Sequence, residues 1–65
     1  MAETLYPQIK NILRAHGCHF IRQGKGSHEI WYSPISNKHF SVPVTVKVKP
    51  TANAILKQAG VDRKI

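Results

Sequence analysis

Cys18 is the only cysteine in a chain of 65 residues, and that removes the covalent routes by which very short chains are stabilised. One cysteine closes no internal disulfide, and without a second thiolate no cysteine cluster can hold zinc. A chain of this length buries a small fraction of its surface. A folded state therefore has to come from a single domain over residues 1–65, with few elements, short connections and a well-filled apolar core. A second domain, or a cofactor fold of its own, has no room. Uninterrupted apolar stretches run to two or three residues, far short of the roughly 20 that span a bilayer, so no membrane-crossing helix and no membrane partner is expected. Residues 1–9 carry Glu3 and show neither the basic nor the apolar region of a secretory signal. A cytoplasmic location is the expectation.

Segment 4–16 places Leu5, Ile9, Ile12 and Leu13 on one stripe of a 3.6-residue period, the signature of an amphipathic helix. Thr4 reads as its N-cap, Pro7 falls in the first turn where a missing N–H costs little, and Gly17 stands where a left-handed cap ends a helix. Residues 18–23, with Phe20 and Ile21, read as a strand. The break Gln23-Gly24-Lys25-Gly26-Ser27 turns the chain into a second strand over 28–33. A second turn over 33–38 leads to a third strand in which Phe40, Val42 and Val44 alternate with His39, Ser41 and Pro43, the proline marking a strand end. After a basic crossover over 46–50, residues 51–60 start at a cap residue, Thr51, and stop at Gly60. Their apolar face is Ala52, Ile55, Leu56 and Ala59. Val61 can fold back on this helix, and residues 61–65 are expected to form a tail that frays. The order αβββα describes an α+β fold: a three-stranded antiparallel sheet with two helices on one face and the other face open for a ligand.

Ten Lys and Arg against three Asp and Glu leave a formal charge of +7. So large a surplus on so small a surface attracts polyanions, and nucleic acid leads as partner, ahead of an acidic protein. A DNA-binding helix-turn-helix is absent, because the whole sheet separates the two helices.

Gly17, the run Arg22-Gln23-Gly24-Lys25-Gly26-Ser27-His28, Val42-Pro43 and the closing Ile55-Leu56-Lys57-Gln58-Ala59-Gly60 occur in that order. Together they resemble the HicA toxin family, whose members look like a helix ending in Gly-Phe, an Arg-Gln-x-Gly-Ser-His hairpin, a Val-Pro strand end and a closing Ile-Leu-Lys-Gln-Ala-Gly helix. The resemblance covers nearly the whole chain. It implies a double-stranded-RNA-binding-domain-like αβββα fold and a cytoplasmic mRNA interferase that cuts RNA with no metal or other cofactor. It also implies inhibition by a HicB-like antitoxin. The family's catalytic histidine falls on His28, with its preceding Gly and Ser on Gly26 and Ser27.

Metal-free RNA cleavage needs a base for the 2′-OH proton, an acid for the leaving 5′-oxygen, and positive charge or N–H donors for the phosphorane between them. A histidine titrates near neutrality and suits one of the proton transfers. The loop of Gly24, Lys25, Gly26 and Ser27 can bring backbone N–H groups and an ammonium to a phosphate, and Arg22 can clamp a second phosphate oxygen. Ser27 reads as a turn-closing hydroxyl, since no acid completes a triad. His16, His19 and His39 lack metal-ligand spacing. His16 suits the last turn of the first helix, where positive charge is favoured, and His39 can face RNA across the sheet. Of the neighbours Trp31 and Tyr32, one faces the helices and one faces out. Tyr32 shares the face of His28 if the strand starts there without a bulge, and outward aromatics on a sheet can stack bases. Lys47, Lys49 and Lys57 form a basic flank for phosphates. The competing reading is a non-catalytic RNA-binding or partner-binding module of the same fold.

Overall fold

The computed structural model describes residues 4–65. Helix α1 (Tyr6–Ala15) is followed by strands β1 (His19–Gln23), β2 (His28–Ser33) and β3 (Lys38–Pro43) and by helix α2 (Lys49–Gln58), the αβββα order expected. The strands form one antiparallel sheet in the order β1-β2-β3. Ile9, Ile12 and Leu13 of α1 and Ala52, Ile55 and Leu56 of α2 share one buried cluster with Trp31, Phe40 and Val42 of the sheet. Both helices therefore cover the same sheet face.

Both helices stop by the same device. Gly17 and Gly60 follow the last helical turns with φ of +84° and +76°, and their N–H groups donate to Arg14 O and Lys57 O at 3.0 Å each. The next residues, Cys18 and Val61, return N–H bonds to Leu13 O and Leu56 O at 2.9 and 3.0 Å, and both are buried. This is the Schellman closure, in which a left-handed glycine satisfies the last carbonyls and an apolar residue folds back onto the helix. At Gly60 the requirement is double, because a Cβ there would also stand 2.9 Å from Ile35 Cγ2 in the β2–β3 turn.

The helix starts differ from the sequence expectation. Thr4 is not the cap of α1: the N-cap position is Leu5, without a side-chain cap, and its backbone N–H donates to Val46 O at 2.7 Å. Nor does Thr51 open α2, which begins two residues earlier at Lys49 behind an extended Val48. In both helices a proline, Pro7 or Pro50, occupies the first turn. Its fixed φ and absent N–H favour that position without a capping hydroxyl. Strand β3 ends at Pro43, leaving Val44 outside it. Past α2, Ile65 N donates to Asn53 Oδ1 at 2.8 Å.

In β2, Trp31 and Ser33 are buried while Tyr32 is half-buried and His28 exposed. Trp31 is 1 % exposed. Its indole N–H donates to Glu29 Oε1 at 3.0 Å, and the Tyr6 hydroxyl of α1 donates to the same oxygen at 2.6 Å. Burial together with this carboxylate pushes the Tyr6 hydroxyl pKa up to about 12. Ser33, fully buried, donates to Ala59 O and accepts from Ile35 N and Ser36 N, so one hydroxyl ties the β2–β3 turn to the end of α2.

Two outcomes follow. Ser33→Ala leaves one carbonyl and two N–H groups without their buried partner and is expected to lower stability by about 1–3 kcal/mol, read by urea denaturation. A raised pKa in the folded chain favours the neutral phenol, so its stabilisation holds below the ordinary value of about 10 and fades as pH rises through about 12. The stability difference between wild type and Tyr6→Phe, followed by denaturation across that interval, should shrink with rising pH.

Candidate functional site

The glycine run between β1 and β2 is a closed turn. Gly24 N donates to His28 O at 2.8 Å and His28 N returns to Lys25 O at 3.2 Å. The Gln23 side-chain amide donates to Gly26 O and His28 O at 3.2 and 3.0 Å, holding both arms of the loop. Gly26 takes φ of +63°, with nothing within 4 Å of where a Cβ would stand. Glycine is needed there for backbone conformation and not for space. Ser27 enters through its backbone: its carbonyl accepts from Val44 N at 3.0 Å and fastens the loop to the end of β3.

His28 projects from this turn, exposed. Its Nδ1 lies 3.2 Å from Lys25 O. A carbonyl only accepts, so Nδ1 carries the proton and Nε2 is the nitrogen left to exchange one with a ligand. The register sets His28 opposite Pro43 and Tyr32 opposite His39, with Tyr32 and His28 on the same face and Trp31 on the other, as the alternation required.

Arg22 reaches that face by an irregularity the sequence does not announce. Phe20 pairs with Trp31 and Arg22 with Ile30, so two steps along β1 match one along β2. Ile21 is the extra residue of a bulge, and a bulge reverses the side-chain parity beyond it. Phe20 accordingly meets Trp31 edge to face on the helix side, with ring centroids 6.4 Å apart, while Arg22 stands with Ile30 on the open face. In a regular strand Phe20 and Arg22 would share a face.

The hairpin thus brings together Arg22, Gly24, Lys25, Gly26, Ser27 and His28. Lys47 and Lys49 lie apart from it, exposed, on the crossover and at the first residue of α2. Lys57 is exposed in the last turn of α2. Sequence reasoning did not link His19 to this face, although β1 pairs it with Tyr32. Its position depends on a register that the bulge obscures. Glu29 is the only acidic residue in the three strands and points to the helices, so no strand places a carboxylate on the open face. Among the described residues no three His, Cys, Asp or Glu side chains gather to hold a metal ion.

The concavities of the surface lie elsewhere. One, of about 430 Å³, runs along α2 and the C-terminal residues between Pro50, Asn53, Lys57 and Arg63. One of about 190 Å³ sits over Tyr6, Lys10, Arg14, Phe20, Glu29 and Trp31. Neither is lined by His28, which stands on an open surface of the kind a polymer can cross.

A family model described as the HicA toxin of bacterial toxin-antitoxin matches residues 6–61. The chain belongs to the HicA toxin family. No curated protein and no solved structure matches it. The HicA match begins at the first residue of α1 and ends at Val61, so it includes both helices, the sheet and the His28 hairpin. Membership assigns the chain to a toxin-antitoxin system, which implies an antitoxin partner. No helix of this HicA chain is long and apolar enough to cross a membrane among the described residues.

Lys49 offers a test of what the basic flank is for. It opens α2, whose first turn holds no acidic residue, and a cation at a helix N-terminus is electrostatically unfavourable. Lys49→Glu is expected to raise folding stability by about 0.3–1 kcal/mol in thermal denaturation, which would show that this lysine is not kept for stability.

Proposed function

We propose that this HicA toxin is a metal-independent endoribonuclease that cuts mRNA in the cytoplasm, with His28 as its proton-transfer group and a HicB-like antitoxin as its inhibitor. The observation that carries this reading is the setting of His28: an exposed imidazole at the mouth of a glycine turn, its Nδ1 occupied by Lys25 O and its Nε2 without a hydrogen-bond partner among the described residues, on a face where no strand places a carboxylate.

The reaction suited to these groups is transesterification. The ribose 2′-oxygen attacks the adjacent phosphorus and its proton passes to a base, while the bond from phosphorus to the 5′-oxygen breaks and that oxygen takes up a proton. His28 Nε2 supplies one of the two proton transfers. The Lys25 carbonyl acts on His28 only as a positioning group, by fixing the ring and its tautomer. The negative charge that grows on the phosphorane oxygens is met by Arg22, the Lys25 ammonium and N–H groups of the 24–27 loop. Lys47 and Lys49 attract phosphates further along the strand. The 2′-OH requirement restricts the chemistry to RNA. An acidic antitoxin would cover the same basic face.

The test is induction of wild-type and His28→Ala chains side by side, followed by growth and by gel analysis of total RNA. Wild type should arrest growth and fragment RNA. The variant should lose about 10²–10⁴ in cleavage rate while remaining folded, because His28 is exposed. If neither chain cuts RNA and both bind it, a non-catalytic RNA-binding or partner-binding module is the better account.

A further inference from the structure

Three aromatic rings stand in one row across the open face of the sheet, one from each strand. Tyr32 pairs with His19 on β1 and with His39 on β3. The ring centroids lie 5.6 Å and 5.0 Å apart, with interplanar tilts of 47° and 59°. The core does not call for this row: His19 and His39 are exposed and Tyr32 only half-buried. Its orientation is nevertheless fixed, because the Tyr32 hydroxyl donates to Asn37 Oδ1 in the β2–β3 turn, where Asn37 holds φ of +59°. The two imidazoles are separated by the Tyr32 ring, so they cannot share a metal ion.

The row is continuous with the proposed catalytic hairpin. The next set on the same face is Arg22, Ile30 and Ser41, followed by His28 opposite Pro43. Tyr32 lies four residue steps along β2 from His28, about 13 Å at the rise of a strand. The face therefore offers, in line, a phosphate end at His28, a guanidinium in the middle and an aromatic shelf at the far end, with no acidic side chain from any strand.

We propose that this face binds RNA as an extended single strand, with the phosphate to be cut at His28 and unpaired bases stacked on the His19, Tyr32 and His39 rings. Side-chain rings on a sheet reach the flat faces of bases only where those bases are unpaired, since in a duplex neighbouring pairs cover them. Charge complementarity favours the same occupant, because Arg22 meets the backbone between the shelf and His28. The inference rests on the reading that RNA is the substrate, but binding to the shelf can be measured without cleavage.

The probe is a short fluorescein-labelled 2′-O-methyl oligoribonucleotide without self-complementarity, whose blocked 2′-oxygen cannot attack the phosphate. Fluorescence anisotropy compares wild type with the His19→Ala/His39→Ala double variant, both substitutions being at exposed positions. The double variant is expected to bind the single strand about tenfold more weakly or worse, and the annealed duplex should be bound less tightly than the strand by wild type. Equal affinity of both proteins for the strand, or tighter wild-type binding of the duplex, would overturn the proposal. A second measurement needs no variant: the imidazole C–H resonances of His19 and His39 should shift as the oligomer is added to wild type, and resonances that stay in place at saturation overturn it as well. The two readings fail separately. A wild type that binds through the row yet cuts no RNA keeps the shelf and loses the nuclease. One that cuts RNA with a dispensable row keeps the nuclease and loses the shelf.

Discussion

Trp31 lies beneath the helices with its indole N–H on the Glu29 carboxylate, and the rest of the molecule is arranged around that burial. A tryptophan is the largest apolar load a small core can take up, and truncating one typically costs about 3–5 kcal/mol. Because successive residues of a strand point to opposite faces, fixing Trp31 inward turns His28, Ile30 and Tyr32 outward. The same packing requirement brings Glu29 under α1, where the Tyr6 hydroxyl binds it. That removes the only strand carboxylate from the face where anions would bind. Core formation and the electrostatics of the open face thus have one origin.

The hairpin converts this parity into a site. A turn closed by Gly24 and Lys25 backbone bonds, with Gly26 in the left-handed region, sets the start of β2 at His28 and leaves its ring against Lys25 O. The bulge at Ile21 then brings Arg22 round to join it. Both features are local backbone devices, and neither takes apolar area from the core. In so short a chain that matters, because the helix face is fully committed to stability. The open face and its rim are left to the proposed function.

Much of this was legible in the sequence because it rests on periodicity and on glycine. The two apolar stripes locate the helices, Gly17 and Gly60 locate their ends, and the alternation around Trp31 assigns Tyr32 and His28 to a common face. The helix starts were less legible. Thr4 and Thr51 have the chemistry of caps, but Pro7 and Pro50 favour positions in the first turn that leave neither threonine at a cap. The position of Arg22 was hidden, since a bulge is a property of the register between two strands and Ile21 carries no residue-type signal for it. The same gap concealed that His19 lines up with Tyr32 and His39. Ser33 read as a turn residue, whereas its hydroxyl joins the turn to α2 inside the core. That contact joins residues 26 positions apart in the chain, and no local pattern reports it.

The proposed ribonuclease reading asks three things of the chemistry: one imidazole nitrogen, Nε2 of His28, to move a proton, cations from the hairpin to meet the phosphate, and a 2′-hydroxyl on the substrate as the nucleophile. The most direct measurement is the chemistry of the ends made when purified protein cuts a defined oligoribonucleotide in the presence of a chelator, read by mass spectrometry, alongside the same oligomer with a single 2′-deoxy sugar at the cut position. The account expects a 2′,3′-cyclic phosphate and a 5′-hydroxyl, and no cleavage at the deoxy position. Ends carrying a 5′-phosphate and a 3′-hydroxyl, or cleavage undiminished by the deoxy sugar, would contradict it.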